Sequence, residues 1–253
     1  MDVARRKLTD VSHPDPLLTD EFWLEYGDDP QPPMRLKILY VTFGEVASAG
    51  PSSFNVASVC DRLGITYPMV NHYFGSRDGL LAEGAYMVYE RYVDRLWVAV
   101  VSAPRKPEAR LKAWMMAQIS ETLTMGGWGP ILNYPLAARE VTAEIDAKFQ
   151  KPLNRVFELN LARLAVLVRD VQRDTVTDVD YTVEKYPRTE LLSDPYLLSV
   201  MPTVSWSIFG MSVWVAGEPA PARNIGEVSA FVKVLMENHF RTIVSVIKGH
   251  SEN

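Results

Sequence analysis

The segment that most restricts what this chain can fold into runs from Val56 to Leu81, VASVCDRLGITYPMVNHYFGSRDGLL. Asn55 precedes it and is a preferred helix N-cap residue. Val56, Val59, Cys60 and Leu63 then recur at three- and four-residue steps, which is one apolar face of a short helix. Gly64 closes that helix, because glycine enters the left-handed region at a helix end without a Cβ clash. A second short helix is predicted over about Tyr67 to Tyr73, and Ser76 caps a long one. Ile65 and Val70 face back onto Val59 and Leu63. Thr66, Tyr67, Met69 and Asn71 are then left pointing outward, with His72 and Tyr73 beside them. A short helix held this way across a tight turn presents its N-terminal half to a groove.

The outward set suits a nucleic-acid duplex. Thr66, Asn71 and His72 can reach base edges or phosphates, Tyr67 and Tyr73 offer hydroxyls, and Met69 can touch a thymine methyl. Arg77 stands at the start of the long helix, where a cation and backbone N–H groups together favour a phosphate. With Asn55 and Pro68 at the edges, the expected DNA-facing residues are Asn55, Thr66, Tyr67, Pro68, Met69, Asn71, His72, Tyr73 and Arg77. The net charge of the chain is −5, so there is no uniformly basic coat and any such contact is a local patch. From Met34 to Arg77 the basic residues Arg35, Lys37, Arg62 and Arg77 outnumber the acidic Glu45 and Asp61.

Helical periodicity extends over most of the chain. Leu36, Leu39, Tyr40, Phe43, Val46 and Ala47 form a first stripe that ends at Gly50-Pro51. Leu80, Leu81, Ala85, Val88, Tyr89, Tyr92, Val93, Leu96, Trp97 and Val100 form the buried side of the long helix, which Pro104 and Pro107 end. Further helices are expected over about Glu108 to Thr124, Glu140 to Arg173, Pro195 to Gly217 and Ile225 to Lys248. The last opens on an Asn224/Glu227 capping box. Strand signals are poor apart from Tyr181-Thr182-Val183, so the fold class is all-α. Residues 1–33 read as a proline-broken, acidic extension, partly disordered, with one helical turn or two near Thr19 to Gly27. Its basic tip, Arg5, Arg6 and Lys7, has the make-up of an arm that enters a minor groove, which the acidic stretch behind it opposes. The stretch Tyr196 to Gly217 carries no charged residue, but serines and Pro202 interrupt it, and a buried helix of a large bundle has the same pattern. No membrane span is expected.

This segment resembles the TetR family of bacterial transcriptional regulators. The resemblance rests on Leu63-Gly64-Ile65-Thr66, Val70-Asn71-His72-Tyr73-Phe74 and Gly75-Ser76-Arg77-Asp78-Gly79-Leu80-Leu81, and it covers about residues 34–100. The family usually has tyrosine where this chain has Asn71 and lysine where it has Arg77. The resemblance implies a helix-turn-helix head at 34–80 and a helical ligand-binding and dimerisation domain at 81–253. It also implies a homodimer that binds a near-palindromic operator as a repressor and is released by a small, largely apolar effector. The last two helices would pair with their copies through Trp206, Val213, Val228, Phe231, Val232, Leu235, His239 and Ile243.

Large apolar side chains around a few polar ones suit a small-molecule cavity. The candidates are Trp97, Trp114, Met115, Gln118, Trp128, Tyr134, Phe157, Asn160, Trp206 and Phe209, with Gly126-Gly127-Trp128-Gly129-Pro130 as a flexible edge. An enzyme in this domain is the competing class, as is a helical small-molecule-binding protein without DNA contact, or an activator of the same fold. No Ser/His/Asp set and no nucleotide-binding glycine loop supports catalysis. Cys60 is the single cysteine and the four histidines are scattered, so neither a disulfide, a metal site nor a cofactor is expected. The absence of a secretory signal and the single cysteine point to the cytoplasm.

Overall fold

A computed structural model describes residues 33–124, 128, 139–177, 193–216 and 228–249. All of its regular structure among these residues is helical: α1 (Met34–Ala49), α2 (Val56–Leu63), α3 (Tyr67–Phe74), α4 (Arg77–Ser102), α5 (Pro107–Thr124), α6 (Arg139–Arg173), α7 (Pro195–Ala216) and α8 (Val228–Gly249). The all-α expectation and the helix order therefore hold. The tip Arg5-Arg6-Lys7, the turn near Thr19, Gly126-Gly127, Tyr134, the stretch Tyr181-Thr182-Val183 and the Asn224/Glu227 box lie outside the described residues.

The chain divides into two compact units. One comprises Met1–Tyr89 and Leu123–Gln150, the other Glu90–Thr122 and Lys151–Asn253. The division falls inside α4 and α6. It assigns to the first unit a segment, 123–150, that lies sequence-distant from the head.

In the first unit Ile38, Leu39, Phe43, Val46, Val59, Val70, Leu80 and Leu81 are buried at 1% exposure or less. Burying side chains of this size is the main source of stabilisation, about 1.5–3 kcal/mol each. Buried Thr42 is satisfied by donating its hydroxyl to the Ile38 carbonyl at 2.8 Å, as a buried polar group requires. Trp128 fills the space beside α1.

In the second unit Leu96, Val100, Leu111, Trp114, Met115, Ile119, Leu164 and Leu167 form the core. Asp170 is buried and accepts from Thr177 N at 2.9 Å and Thr177 Oγ1 at 2.6 Å. Asp194 caps α7, with Tyr196 N donating to Oδ1 at 2.9 Å. The hydrogen bond from Arg169 holds its carboxyl below the usual aspartate range. On α7, Leu197, Val200, Val204, Ile208 and Ser212 are buried at helical spacing, while Leu198, Trp206 and Phe209 are exposed. Among the described residues no helix is long and apolar enough to cross a membrane.

Candidate nucleic-acid interface

The head is built as its sequence dictates. The Ala57 N–H donates to Asn55 Oδ1 at 2.9 Å, which caps α2. Gly64 ends α2 at φ 65°, ψ 35°, and Ile65 N donates back to the Cys60 carbonyl at 3.0 Å. That left-handed turn aims the chain into α3. Val70 and Phe74 anchor α3 and are buried. The opposite face stays in solvent, with Tyr67 at 47%, Met69 at 39% and Tyr73 at 37% exposure. Thr66, Pro68 and His72 are also exposed. Thr66 occupies the N-cap position of α3 but makes no side-chain capping bond. His72 and Tyr73 meet edge-on at 5.3 Å. Three large apolar or aromatic side chains on one eight-residue helix are thus left uncovered within the chain.

Two expected contacts sit differently. Asn71 is only half-exposed, and its Oδ1 is buried with no hydrogen-bond partner. Arg77 turns its guanidinium inward. It donates to the Pro51 carbonyl at 2.6 Å, more weakly to the Phe54 carbonyl at 3.4 Å, and pairs with Asp78 at 2.9 Å. It also lies over the Phe54 ring at 5.7 Å. Arg77 therefore clamps the turn between α1 and α2, and Ser76 caps α4 by accepting from Gly79 N at 2.9 Å. Two other cations of the head are engaged inside it: Arg62 with Glu45 and Arg35 with Glu83. Burial raises the Glu83 carboxyl, and the Arg35 charge counters this. The charge excess counted along the sequence is largely neutralised by these pairs, because their acidic partners include residues beyond the counted window.

Sequence reasoning missed Lys148. It lies on the part of α6 that belongs to the first unit, and its Nζ donates to the Phe74 carbonyl at 3.3 Å. Nothing in a 74-residue separation signals this approach.

In the second unit the structure brings some pocket candidates together. Trp97 Nε1 donates to Asn160 Oδ1 at 3.0 Å, and Tyr92 donates to Gln118. Arg163, which periodicity did not single out, lies over Trp97 at 5.6 Å. Trp114 and Met115 are buried, and Trp114 Nε1 has no hydrogen-bond partner. Trp128 does not join this group. It belongs to the first unit and donates to Phe43 there. Phe157, Trp206 and Phe209 stand on the surface, at 52%, 75% and 41% exposure. The apolar residues of α7 occur on every side of the helix, so its period could not say which would be covered. Of the residues expected at a subunit interface, Leu235 and His239 are half-buried and Ile243 is covered within the chain itself. The side chains of Val213, Val228, Phe231 and Val232 lie outside the described residues.

No family model matches the sequence. The HTH-type transcriptional regulator BetI of Burkholderia thailandensis is 38% identical over 93 residues, 35% of this chain and 45% of that protein. The HTH-type transcriptional regulator BetI of Burkholderia cenocepacia is 30% identical over 141 residues, 48% of this chain and 70% of that protein. The chain thus spans about half the length of the first of these relatives, 45%. A crystal structure of a candidate transcriptional regulator from Pseudomonas aeruginosa PAO1 superimposes with a TM-score of 0.43 at 17% identity, over 87% of this chain and 99% of that one.

Proposed function

The chain belongs to the family of HTH-type transcriptional regulators that BetI represents, and on that premise we propose that it is a homodimeric repressor of the TetR type that binds a near-palindromic operator and is released by a small, largely apolar effector. The observation that carries the DNA-binding part is the uncovered face of α3. Tyr67, Met69 and Tyr73 stay exposed while Val70 and Phe74 hold the helix in place. A cluster of exposed apolar side chains marks an interaction surface, and a duplex major groove admits a helix of this kind.

The dimer is supported by Trp206, Phe209 and Leu198 on α7 and Val234 on α8, all exposed. Two-fold symmetry places two such helices about 34 Å apart, one turn of DNA. The Trp97–Asn160 and Tyr92–Gln118 pairs and the unpartnered Trp114 N–H support an effector site in the second unit, since buried polar groups in an apolar lining orient a ligand. An effector releases the operator only by binding more tightly to the state with wrongly spaced heads.

Selection from a pool of random duplexes tests this reading. The expected product is an inverted repeat bound with an affinity that falls steeply as salt rises. A folded protein that retains no duplex at low ionic strength overturns it. Titration of the retained duplex complex with apolar small molecules then tests the sign of the response; tighter binding on addition makes the protein an activator or co-repressor-dependent.

A further inference from the structure

The C-terminal end of α3 is held by a side chain from α6. A helix leaves its last carbonyls without an internal donor. Phe74 is the last residue of α3, and its carbonyl receives the Lys148 ammonium at 3.3 Å. A cation there also meets the negative end of the helix. Lys148 is itself steadied by Glu144, one turn earlier, at 2.7 Å. Space for this approach comes from Gly79. A Cβ there would stand 2.2 Å from the Phe74 oxygen and 3.1 Å from Lys148 Nζ.

Adjacent contacts tie the same point down. Phe149 stacks on Tyr86 of α4, with ring centroids 5.1 Å apart and planes 12° apart. Arg35 lies over the Phe74 ring at 5.2 Å and pairs with Glu83. Phe74 is therefore gripped by two cations, one on its ring from α1 and one on its carbonyl from α6.

Pro152 lies inside α6. A proline supplies no N–H, and its ring crowds the carbonyl four residues back. That carbonyl belongs to Lys148. The weakest point of the α6 hydrogen-bond ladder is thus at the residue that holds α3, and such points are where helices bend. The division between the two units falls there as well, after Gln150.

We propose that Lys148 is a positioning residue for α3: it holds the C-terminal carbonyl of the DNA-facing helix, and bending of α6 at Pro152 withdraws it and loosens that helix. The proposal rests on α3 being the DNA-facing helix only for its consequence. The hold itself stands on the Lys148–Phe74 and Lys148–Glu144 contacts, and the bend on Pro152.

Amide hydrogen exchange on the full chain, without DNA or any small molecule, tests it. Lys148→Met is expected to speed exchange from the last turn of α3 to Gly79 about three- to fivefold, the size of losing one cation at a helix C-terminus. Lys148→Arg is expected to restore protection, and α8 is expected to be unchanged in both. Pro152→Ala returns a donor to the Lys148 carbonyl. It is expected to slow exchange at the end of α3 when Lys148 is present and to have no effect there in the Lys148→Met background. Unchanged exchange at the end of α3 in a folded Lys148→Met protein, an equal rise in α8, or a Pro152→Ala effect that persists without Lys148 would each overturn the proposal. Because no duplex is used, failure of DNA binding and failure of this coupling give different results.

Discussion

The indole N–H of Trp128 donates to the backbone carbonyl of Phe43 at 3.0 Å, and the two rings meet edge-on with centroids 5.9 Å apart. A residue from the middle of the chain thereby locks the first helix of the head. The fit depends on Gly84, where a Cβ would lie 2.6 Å from the tip of the Trp128 ring. Trp128→Ala is expected to destabilise the first unit by about 3–5 kcal/mol, the usual cost of removing a large buried aromatic. Gly84→Ala is expected to cost about 1–3 kcal/mol through overpacking, since the indole is enclosed and has nowhere to move. Urea denaturation followed by tryptophan fluorescence and circular dichroism measures both. A neutral Gly84→Ala variant contradicts the packing described.

Arg77 separates structural from DNA-contacting roles. Its guanidinium bonds two carbonyls and one carboxylate within the head. Arg77→Ala is expected to lower stability by about 1–3 kcal/mol, because those bonds involve a charged donor. Arg77→Lys is expected to recover little of this, since an ammonium does not reproduce the planar fork. Equal thermal midpoints for the wild type and Arg77→Ala would assign the residue to phosphate contact instead.

Tyr67 and Met69 predict the opposite pattern. Both are exposed. Tyr67→Ala and Met69→Ala are expected to leave stability within about 0.5 kcal/mol of wild type. Each is expected to weaken binding to the selected duplex by about 1–3 kcal/mol and to relax preference at one position. Binding isotherms on the selected duplex and on single-base variants of it make the comparison.

His239 carries a pH dependence. Its Nε2 lies 3.0 Å from Ser207 Oγ, and burial between α7 and α8 lowers its pKa. Ser207 Oγ already donates to the Thr203 carbonyl, so the imidazole N–H is the donor between them. Protonation keeps that bond but adds a poorly solvated charge. A folded-state pKa depressed below the unfolded value means that stability is fully present above the ordinary histidine range. It is lost as pH falls through the folded value. Thermal midpoints are expected to drop between about pH 7 and pH 5 in the wild type, and His239→Gln is expected to flatten that part of the profile. An unchanged slope in the variant removes His239 from the account.

The head was legible because its information is local. Asn55, Gly64, Val70, Phe74 and Ser76 each act on a backbone or neighbour within a few residues, so cap, turn and anchor follow from spacing. The same spacing put Thr66, Tyr67, Met69 and Asn71 outward; the first three are exposed, whereas Asn71 is half-buried. The internal bonds of Arg77 were not legible, because the carbonyls it bonds, Pro51 and Phe54, belong to an irregular turn whose path no period describes. The second unit was less legible. Trp97, Trp114, Met115 and Trp128 share one chemistry in the sequence, yet Trp128 belongs elsewhere, and α7 offers apolar residues on all sides.

What the sequence determined by itself is the helical class, the helix ends and the outward face of α3, because helix period, capping and glycine turns are short-range effects along one backbone. What only the tertiary structure decided is which distant side chain completes each local element: Trp128 against Phe43, Lys148 on the Phe74 carbonyl, Asn160 on Trp97. Those choices depend on where separate helices come to rest against one another, and that is set by the packing of the whole core, in which every apolar residue competes for the same volume.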